Sequence, residues 1–139
     1  MRIAGFNFKK ISVEKTGEKV EDLKVNTKVD IPKMEVLKPE FIKTKDELVQ
    51  IDFTYIVNYE PNFAKIEIVG NVIVALDPKQ AREIIKQWEN KEMPDELRLS
   101  LFNVILRKSN IKALELEDEL GLPLHIPFPP LKIDRKEKE

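Results

Sequence analysis

Few side chains in this sequence have the chemistry that catalysis requires. The 139 residues include no cysteine and a single histidine, His125, which lies in a proline-rich segment without a nucleophile beside it. Covalent catalysis needs a nucleophile that a neighbouring base activates. His125 is therefore interpreted as an ordinary loop histidine, and no catalytic residue is assigned.

Carboxylates are the next candidates, because an acidic stretch runs over Glu115, Glu117, Asp118 and Glu119. Their spacing matches no calcium loop, and on a helix these positions do not share one face. The stretch is interpreted as a solvated acidic face, and the four well-separated glycines form no phosphate loop. We expect no metal, no cofactor and no enzymatic activity. A small enzyme that uses His125 and this acidic stretch is the least favoured alternative.

Charge and composition limit the partners. The formal net charge is -1, with 24 basic and 25 acidic residues, and no basic cluster of the kind that binds nucleic acid is present. No apolar run approaches the about 20 residues that a membrane span needs. The amino terminus lacks the apolar core of a secretory signal, and the absence of cysteine suits a reducing compartment. The sequence predicts a cytoplasmic protein with no nucleic-acid partner and no membrane span.

The clearest structural pattern is an antiparallel hairpin. Every odd position of Val49–Tyr59 is apolar, and every even position of Ala64–Leu76 is apolar or glycine. A period of two predicts two strands that each bury one face. Residues 60–63 have turn chemistry, and pairing the strands across this loop places the ring of Phe53 opposite Gly70, where it can cover the bare glycine backbone.

The remaining elements extend this hairpin into a larger sheet with helices after it. Residues 3–14 predict a strand with a bulge at Lys9-Lys10, and residues 28–37 predict an edge or kinked strand around Pro32. Helices are predicted at 78–90 and from Met93 to a stop at Gly121. We therefore predict an α+β fold, a four-stranded antiparallel sheet followed by helices packed on one face.

Two apolar surfaces stand out beyond this framework. Ile56, Val69 and Ile73 lie on the parity opposite to the core residues, either as scattered surface residues or as a patch for a subunit or ligand. Residues 122–133 contain four of the nine prolines, so this segment must be extended and lie over a surface. Its apolar residues are Leu124, Ile126, Phe128 and Leu131.

The second helix predicts self-association. From Leu97 to Leu106 it is apolar nearly all round, which is more than one sheet covers. We expect a homo-oligomer, a dimer or tetramer, with an interface at Leu97, Leu101, Phe102, Ile105 and Leu106. The charged residues 134–139 predict a disordered tail after a single domain of residues 1–133.

Several of these stretches resemble one family. Gly121-Leu122-Pro123 and the following residues to Ile133 are similar to the Gly-Phe-Pro-Pro-Leu-x-Leu-Pro-Pro-Ile-x-Phe signature of SecB, with one extra residue. Residues 10–14 resemble the first strand of that family, and residues 66–72 resemble its fourth strand. The chain therefore resembles the SecB protein-export chaperones over about residues 6–133, and its composition fits an archaeal SecB-like protein.

The resemblance implies an ATP-independent cytosolic chaperone, a holdase, that binds unfolded or pre-export polypeptides in an apolar groove. An outer sheet face beside an extended apolar segment supports this expectation physically, because such a groove accepts side chains of many sequences. The expected client-binding residues are Ile56, Val69, Ile73, Leu124, Ile126, Phe128 and Leu131. The alternative is a dedicated partner-binding module, such as a toxin–antitoxin chaperone or an assembly subunit. An export motor or a toxin–antitoxin protein is then a further expected partner.

Overall fold

The computed structural model describes residues 1–17, 22–38 and 45–129 of the chain. Its elements are β1 (Arg2–Lys15), β2 (Lys24–Leu37), β3 (Glu47–Glu60), β4 (Ala64–Leu76), α1 (Pro78–Glu89) and α2 (Asp95–Leu120). The strands form one antiparallel sheet in the order β1-β4-β3-β2, so β1 and β2 are its edges. The predicted α+β class, with four strands followed by helices, is confirmed.

The register of the central hairpin follows the apolar pattern. Tyr59 pairs with Ala64, and Phe53 pairs with Gly70, as predicted. A Cβ atom at Gly70 would lie 2.3 Å from the carbonyl oxygen of Asn7 and 2.8 Å from Cζ of Phe53. Only glycine therefore allows β1 and the Phe53 ring to approach this point of the sheet.

Both edge strands are interrupted where the sequence predicts it. The pairing of β1 with β4 shifts register between Phe8 and Lys10, and the pairing of β2 with β3 shifts between Asp30 and Lys33, on either side of Pro32. Proline has no N–H to give to a ladder, so an edge position with a bulge is compatible with it. β2 begins at Lys24, earlier than the predicted residue 28, because its polar start still pairs with the long partner strand β3.

Capping residues set the ends of the two helices. The side chain of Asp77 accepts a hydrogen bond from the backbone N–H of Gln80 at 2.8 Å, and Pro78 occupies the first turn of α1. α2 ends at Gly121, whose φ of 68° lies in the left-handed region. The N–H of Leu122 then donates to the carbonyl of Glu117 at 2.8 Å, which closes the last turn.

The core lies between one sheet face, called here the inner face, and the two helices. Along β3 the odd positions are buried and the even positions are partly exposed, which is the alternation expected of a sheet covered on one side. Over the described ranges, no helix is both long and apolar enough to cross a membrane. The domain limit at residue 133 and the disordered tail stay predictions, because residues 130–139 lie outside the described part of the chain.

Candidate functional site

The proline segment, residues 122–129 in the described chain, returns across the inner face of the sheet after α2 ends. Leu122 is buried in the core, and the hydroxyl of Tyr59 donates a hydrogen bond to the carbonyl of Pro123. The hydroxyl of Tyr55 lies 2.9 Å from Nε2 of His125. Because both tyrosines are buried residues of β3, the segment lies over that strand on the helix side of the sheet.

A single carboxylate holds the segment at His125. Oε1 of Glu117 accepts the backbone N–H of His125 at 2.8 Å, and Oε2 lies 2.6 Å from the ring atom Nδ1. The Glu117 side chain is fully buried, and that of His125 is only 3 % exposed. A carboxylate next to a ring nitrogen requires a proton between them, so Nδ1 and Oε2 share a charge-assisted hydrogen bond.

Two further polar groups complete this arrangement on the other side of the ring. Nε2 of His125 lies 3.1 Å from Oδ1 of Asn110, and the Tyr55 hydroxyl donates to the same Oδ1 at 2.6 Å. Asn110 and Glu117 are both residues of α2, so the histidine is held between that helix and β3. The four residues Glu117, His125, Asn110 and Tyr55 are called the clasp below.

The tyrosines remain hydrogen-bond donors because their ionisation is suppressed. Burial raises the pKa of Tyr55 above its ordinary value, and the negative charge of Glu117 raises it further. Burial also raises the pKa of Tyr59, again with the charge of Glu117 as the next cause. Both hydroxyls therefore keep their protons where an exposed tyrosine would ionise.

Apolar side chains become exposed directly after the clasp. Ile126 is 38 % exposed and Phe128 is 64 % exposed. On the neighbouring edge strand, Val25 pairs with Tyr59 and Val29 pairs with Tyr55, so both valines share the inner face with the tyrosines under the segment. Val25 is itself exposed. These four residues, Val25, Val29, Ile126 and Phe128, are called the β2 margin.

An open cleft of about 890 Å³ borders the β2 margin at one residue, Val29. Val29 belongs to both, and the cleft lies between β2, the end of α1 and the beginning of α2. Its other lining residues are Asp30, Ile31, Pro32, Gln87, Trp88, Lys91, Glu92, Met93, Arg98 and Phe102. The wall is thus apolar and aromatic with charges of both signs, which suits a polypeptide segment of mixed sequence.

The predicted residues of the outer face lie on the opposite side of the sheet from the proline segment. Ile56, Val69 and Ile73 are partly exposed and pair on that face with Glu67, Thr54 and Gln50 respectively. The sheet therefore separates them from Leu124, Ile126 and Phe128, and a groove with both sets as floor and wall is not formed within one chain. Leu124 is partly buried, and Leu131 lies outside the described residues. Client contact by either set stays a prediction.

The predicted oligomer interface is partly covered by the chain itself. Leu97, Leu101 and Ile105 are buried in the core, whereas Phe102 and Leu106 are partly exposed. The apolar residues from Leu97 to Leu106 suggested that the sheet leaves much of α2 uncovered. The sheet covers more of the helix than that, because the buried positions are four residues apart and form one ridge along α2. Self-association through α2 stays a prediction.

Two interpretations of polar residues are corrected by these contacts. Glu115, Asp118 and Glu119 are exposed as expected, but Glu117 is fully buried and is not part of a solvated face. His125 has no nucleophile beside it in the sequence, yet it is held on three sides by groups from α2 and β3. One sequence signal was present for Glu117. It ends the buried series Leu97, Leu101, Ile105, Ser109, Ala113, Glu117, in which every fourth residue is buried.

No group of three or more histidine, cysteine, aspartate or glutamate residues that could hold a metal ion occurs within residues 1–17, 22–38 and 45–129. The clasp contains two such residues, with a tyrosine and an asparagine as their other neighbours. Its geometry is that of a hydrogen-bonded network that fixes a chain segment.

Comparison with known proteins supports the architecture. No protein-family model matches the sequence, and no curated protein matches it either. A solved structure that resembles the fold is the SecB-like chaperone of Mycobacterium tuberculosis in complex with a ChAD peptide from the HigA1 antitoxin. The match covers 94 % of this chain and 89 % of that chain, with a TM-score of 0.53 and 12 % sequence identity. The predicted SecB-like fold is therefore confirmed, and the archaeal origin stays a prediction.

Proposed function

We propose that this protein is an ATP-independent chaperone that holds extended, partly apolar segments of unfolded polypeptides along the β2 margin and its cleft. The observations that carry the proposal are the exposure of Val25, Ile126 and Phe128 and an open, aromatic-lined cleft that borders β2 at Val29. Exposed apolar side chains and an open cleft are typical of a binding surface. The SecB-like fold adds support, since its solved neighbour is a chaperone bound to a peptide.

This surface suits weak binding of many sequences. Burial of apolar area contributes about 25 cal/mol per Å², so covering an exposed side chain such as Phe128 contributes about 1–2 kcal/mol before ordering costs. The contact needs no particular side chain from the client. The charges in the cleft, Asp30, Lys91, Glu92 and Arg98, accommodate polar client residues of either sign. The surface selects unfolded chains, because a folded protein does not expose an extended, partly apolar segment.

The first experiment measures suppression of aggregation of a chemically unfolded client, without nucleotide, by the wild type and by Ile126→Ser with Phe128→Ser. A loss of about 1 kcal/mol at each position predicts about thirtyfold weaker client binding. The matched control is Ile3→Ser with Leu99→Ser, because Ile3 is 39 % exposed and Leu99 is 64 % exposed. The control removes the same kind of apolar surface elsewhere and should leave suppression unchanged.

The outer face of the sheet is the alternative location for the client site. The triple variant Ile56→Ser, Val69→Ser, Ile73→Ser tests it, with circular dichroism and sedimentation to verify that the fold and assembly are intact. If this variant loses suppression while Ile126→Ser with Phe128→Ser keeps it, the client binds the outer face and the assignment to the β2 margin is wrong. If the wild type suppresses no client at any ratio, the holdase proposal itself is refuted.

A second candidate function is supported by the solved neighbour, whose bound peptide comes from an antitoxin. In this reading the protein is a dedicated module for one partner, such as an antitoxin or an assembly subunit, and the same margin is occupied by one sequence. Competition between unrelated peptides for the same site distinguishes a holdase from a dedicated module. A holdase binds unrelated apolar peptides with affinities within about tenfold of each other, whereas a dedicated module prefers one sequence by far more.

The other expectations belong to the same proposal. The protein acts in the cytoplasm as a homo-oligomer and not as an enzyme, and an export motor or a toxin–antitoxin protein receives its client. Sedimentation at micromolar concentration tests the oligomer, and a pulldown from the native host tests the downstream partner.

A further inference from the structure

The proline segment has a defined direction on the inner face of the sheet. The carbonyl of Pro123 accepts a hydrogen bond from Tyr59, and two residues later His125 lies beside the hydroxyl of Tyr55. The segment therefore advances from Tyr59 towards Tyr55, against the chain direction of β3. On the edge strand β2, which is antiparallel to β3, Tyr55 pairs with Val29. The residues of β2 that follow Val29 thus lie ahead of the segment.

Helix α2 gives the same direction. The backbone N–H of His125 donates to Glu117, and its ring lies beside Asn110, which is about two turns earlier in the helix. The segment thus runs antiparallel to α2, from the end of the helix towards its beginning. The cleft of about 890 Å³ lies ahead by both measures, because its walls include Pro32 of β2 and Phe102 of α2.

The chain beyond the described residues is long enough to enter this cleft. At about 1.5 Å per residue along α2, Phe102 lies about 12 Å and Arg98 about 18 Å from Asn110. An extended proline-rich chain advances about 3.1 Å per residue, which would place Leu131 about 19 Å beyond His125. Leu131 and the residues after it can therefore reach the level of the cleft while the clasp stays closed.

The apolar side chains of this stretch match those of the cleft. Leu131 and Ile133 alternate with Lys132, so an extended chain turns the two apolar residues to one side. An apolar pair of this kind needs an apolar wall to cover it. The cleft offers half-buried aromatic and thioether side chains, namely Trp88, Met93 and Phe102.

The charge of the cleft fits the same stretch. Its basic residues already have partners, since Arg98 pairs with Asp95 at 2.7 Å and Lys91 lies 4.7 Å from the centroid of the tryptophan ring. The acidic Asp30 and Glu92 lie on different elements of the wall, and neither forms an ion pair within residues 1–17, 22–38 and 45–129. The charge left over in the cleft is therefore negative, and a basic residue between two apolar ones complements it.

We propose that residues 131–133 form a strap that folds into the cleft and occupies it while no client is bound. Leu131 and Ile133 pack on the apolar wall, and Lys132 lies near the acidic residues. A client must displace the strap, so Leu131 competes with the client for the cleft. This inference rests on the proposed function for its client readout, whereas occupation of the cleft can be measured without any client.

Closure of the strap sets the apparent affinity for clients. Only the open fraction of molecules binds, so a strap that is closed in about nine molecules of ten weakens client binding about tenfold. Because the strap is tethered at the clasp, its closure is intramolecular and does not depend on protein concentration. A second copy of the chain in the same cleft would show the opposite behaviour.

Fluorescence of Trp88 measures occupation of the cleft directly, because Trp88 is the single tryptophan of the chain and lines the cleft. The test compares the full wild-type chain with the double variant Leu131→Ser, Ile133→Ser. Acrylamide is the quencher, since it is neutral and is not attracted by the lysine over the ring. The matched control, Lys136→Ser with Lys138→Ser, changes two residues further along the chain and keeps the apolar pair. Circular dichroism verifies that each variant is folded.

Without client, acrylamide should quench Trp88 less in the wild type than in the double variant, and the control should resemble the wild type. The double variant should also bind an unfolded probe client, reduced and carboxymethylated α-lactalbumin, about tenfold more tightly than the wild type does. Equal quenching in the wild type and the double variant refutes the strap. Protection of Trp88 that rises with protein concentration also refutes it and assigns the cleft to a second copy. Weaker client binding by the double variant would place residues 131 and 133 in the client site instead.

The two proposals fail separately. If neither the wild type nor the double variant binds the probe client, the chaperone proposal is refuted, and quenching of Trp88 still decides the strap. Equal quenching with intact client binding refutes the strap and leaves the chaperone proposal intact.

Discussion

Replacement of Gly70 by alanine should destabilise the fold through one methyl group. The added Cβ would lie 2.3 Å from the carbonyl oxygen of Asn7 and 2.8 and 3.0 Å from two ring atoms of Phe53. The carbonyl belongs to the backbone of β1, which is paired with β4 on both sides of Asn7 from Gly5 to Phe8 and cannot retreat alone. Overpacking costs about 1–3 kcal/mol, and a rigid backbone neighbour places Gly70→Ala at about 3 kcal/mol, or about 150-fold in the unfolding equilibrium.

Gly5→Ala is the matched control in the same sheet. Its Cβ would meet two side-chain atoms of Ile73 at 3.7 Å, which is ordinary van der Waals contact. Both substitutions remove the same backbone freedom from the unfolded chain, an effect that stabilises by about 0.4–1 kcal/mol where the native conformation tolerates alanine. Gly5→Ala should therefore be neutral or slightly stabilising, and the two variants should differ by about 3–4 kcal/mol.

Urea denaturation at one fixed protein concentration measures both variants, with the slope of the transition compared to that of the wild type. The double variant Gly70→Ala with Phe53→Leu separates the two contacts that the added Cβ would make, one with the carbonyl of Asn7 and one with the ring of Phe53. Shortening the ring relieves only the 2.8 and 3.0 Å contacts, so it should recover less than about 1 kcal/mol of the loss. Equal stabilities of Gly70→Ala and Gly5→Ala would refute the close approach of β1, and full rescue by Phe53→Leu would assign the cost to the ring.

Three other predictions follow from single contacts. Asp77→Ala removes the cap of α1 and should lower the free energy of unfolding by about 1 kcal/mol in urea denaturation. Leu101→Glu places a carboxylate in the core and should unfold the protein, as circular dichroism would show, whereas Leu99→Glu at an exposed position should stay folded. Because burial raises the pKa of Tyr55 and Tyr59, stability should be intact below the ordinary tyrosine pKa of about 10 and fall as pH rises through it. Tyrosinate absorbance should then appear only together with unfolding, since the chain has no other tyrosine.

The proposed function assigns different expected roles to the two faces of the sheet. The outer face is mainly polar but includes the partly exposed Ile56, Val69 and Ile73, whereas the β2 margin has exposed apolar side chains and borders a cleft at Val29. A client held at the margin leaves the outer face free for a second protein. The paired serine variants described above therefore separate client binding from delivery, since loss of delivery with intact aggregation suppression would assign the outer face to a downstream partner.

Local patterns in the sequence were sufficient for the order of the strands and helices and for the central register. A strand turns successive side chains to opposite faces, so the apolar parity of Val49–Tyr59 and Ala64–Leu76 allows only pairings that keep both sets together. The turn residues between them then select one pairing, with Phe53 opposite Gly70. The bulge after Phe8 and the left-handed stop at Gly121 also follow from local chemistry.

The site depended on contacts that no local pattern contains. Glu117 and His125 are separated by the end of a helix and a left-handed glycine, and Tyr55 comes from a strand far away in the chain. Whether a glutamate on an acidic stretch is solvated or buried depends on how the helix is rotated against the sheet. The sequence determined which faces of the strands are apolar and where the helices begin and end. Only the tertiary structure decided which sheet face the proline segment covers and which carboxylate holds it, because both result from packing between elements distant in sequence.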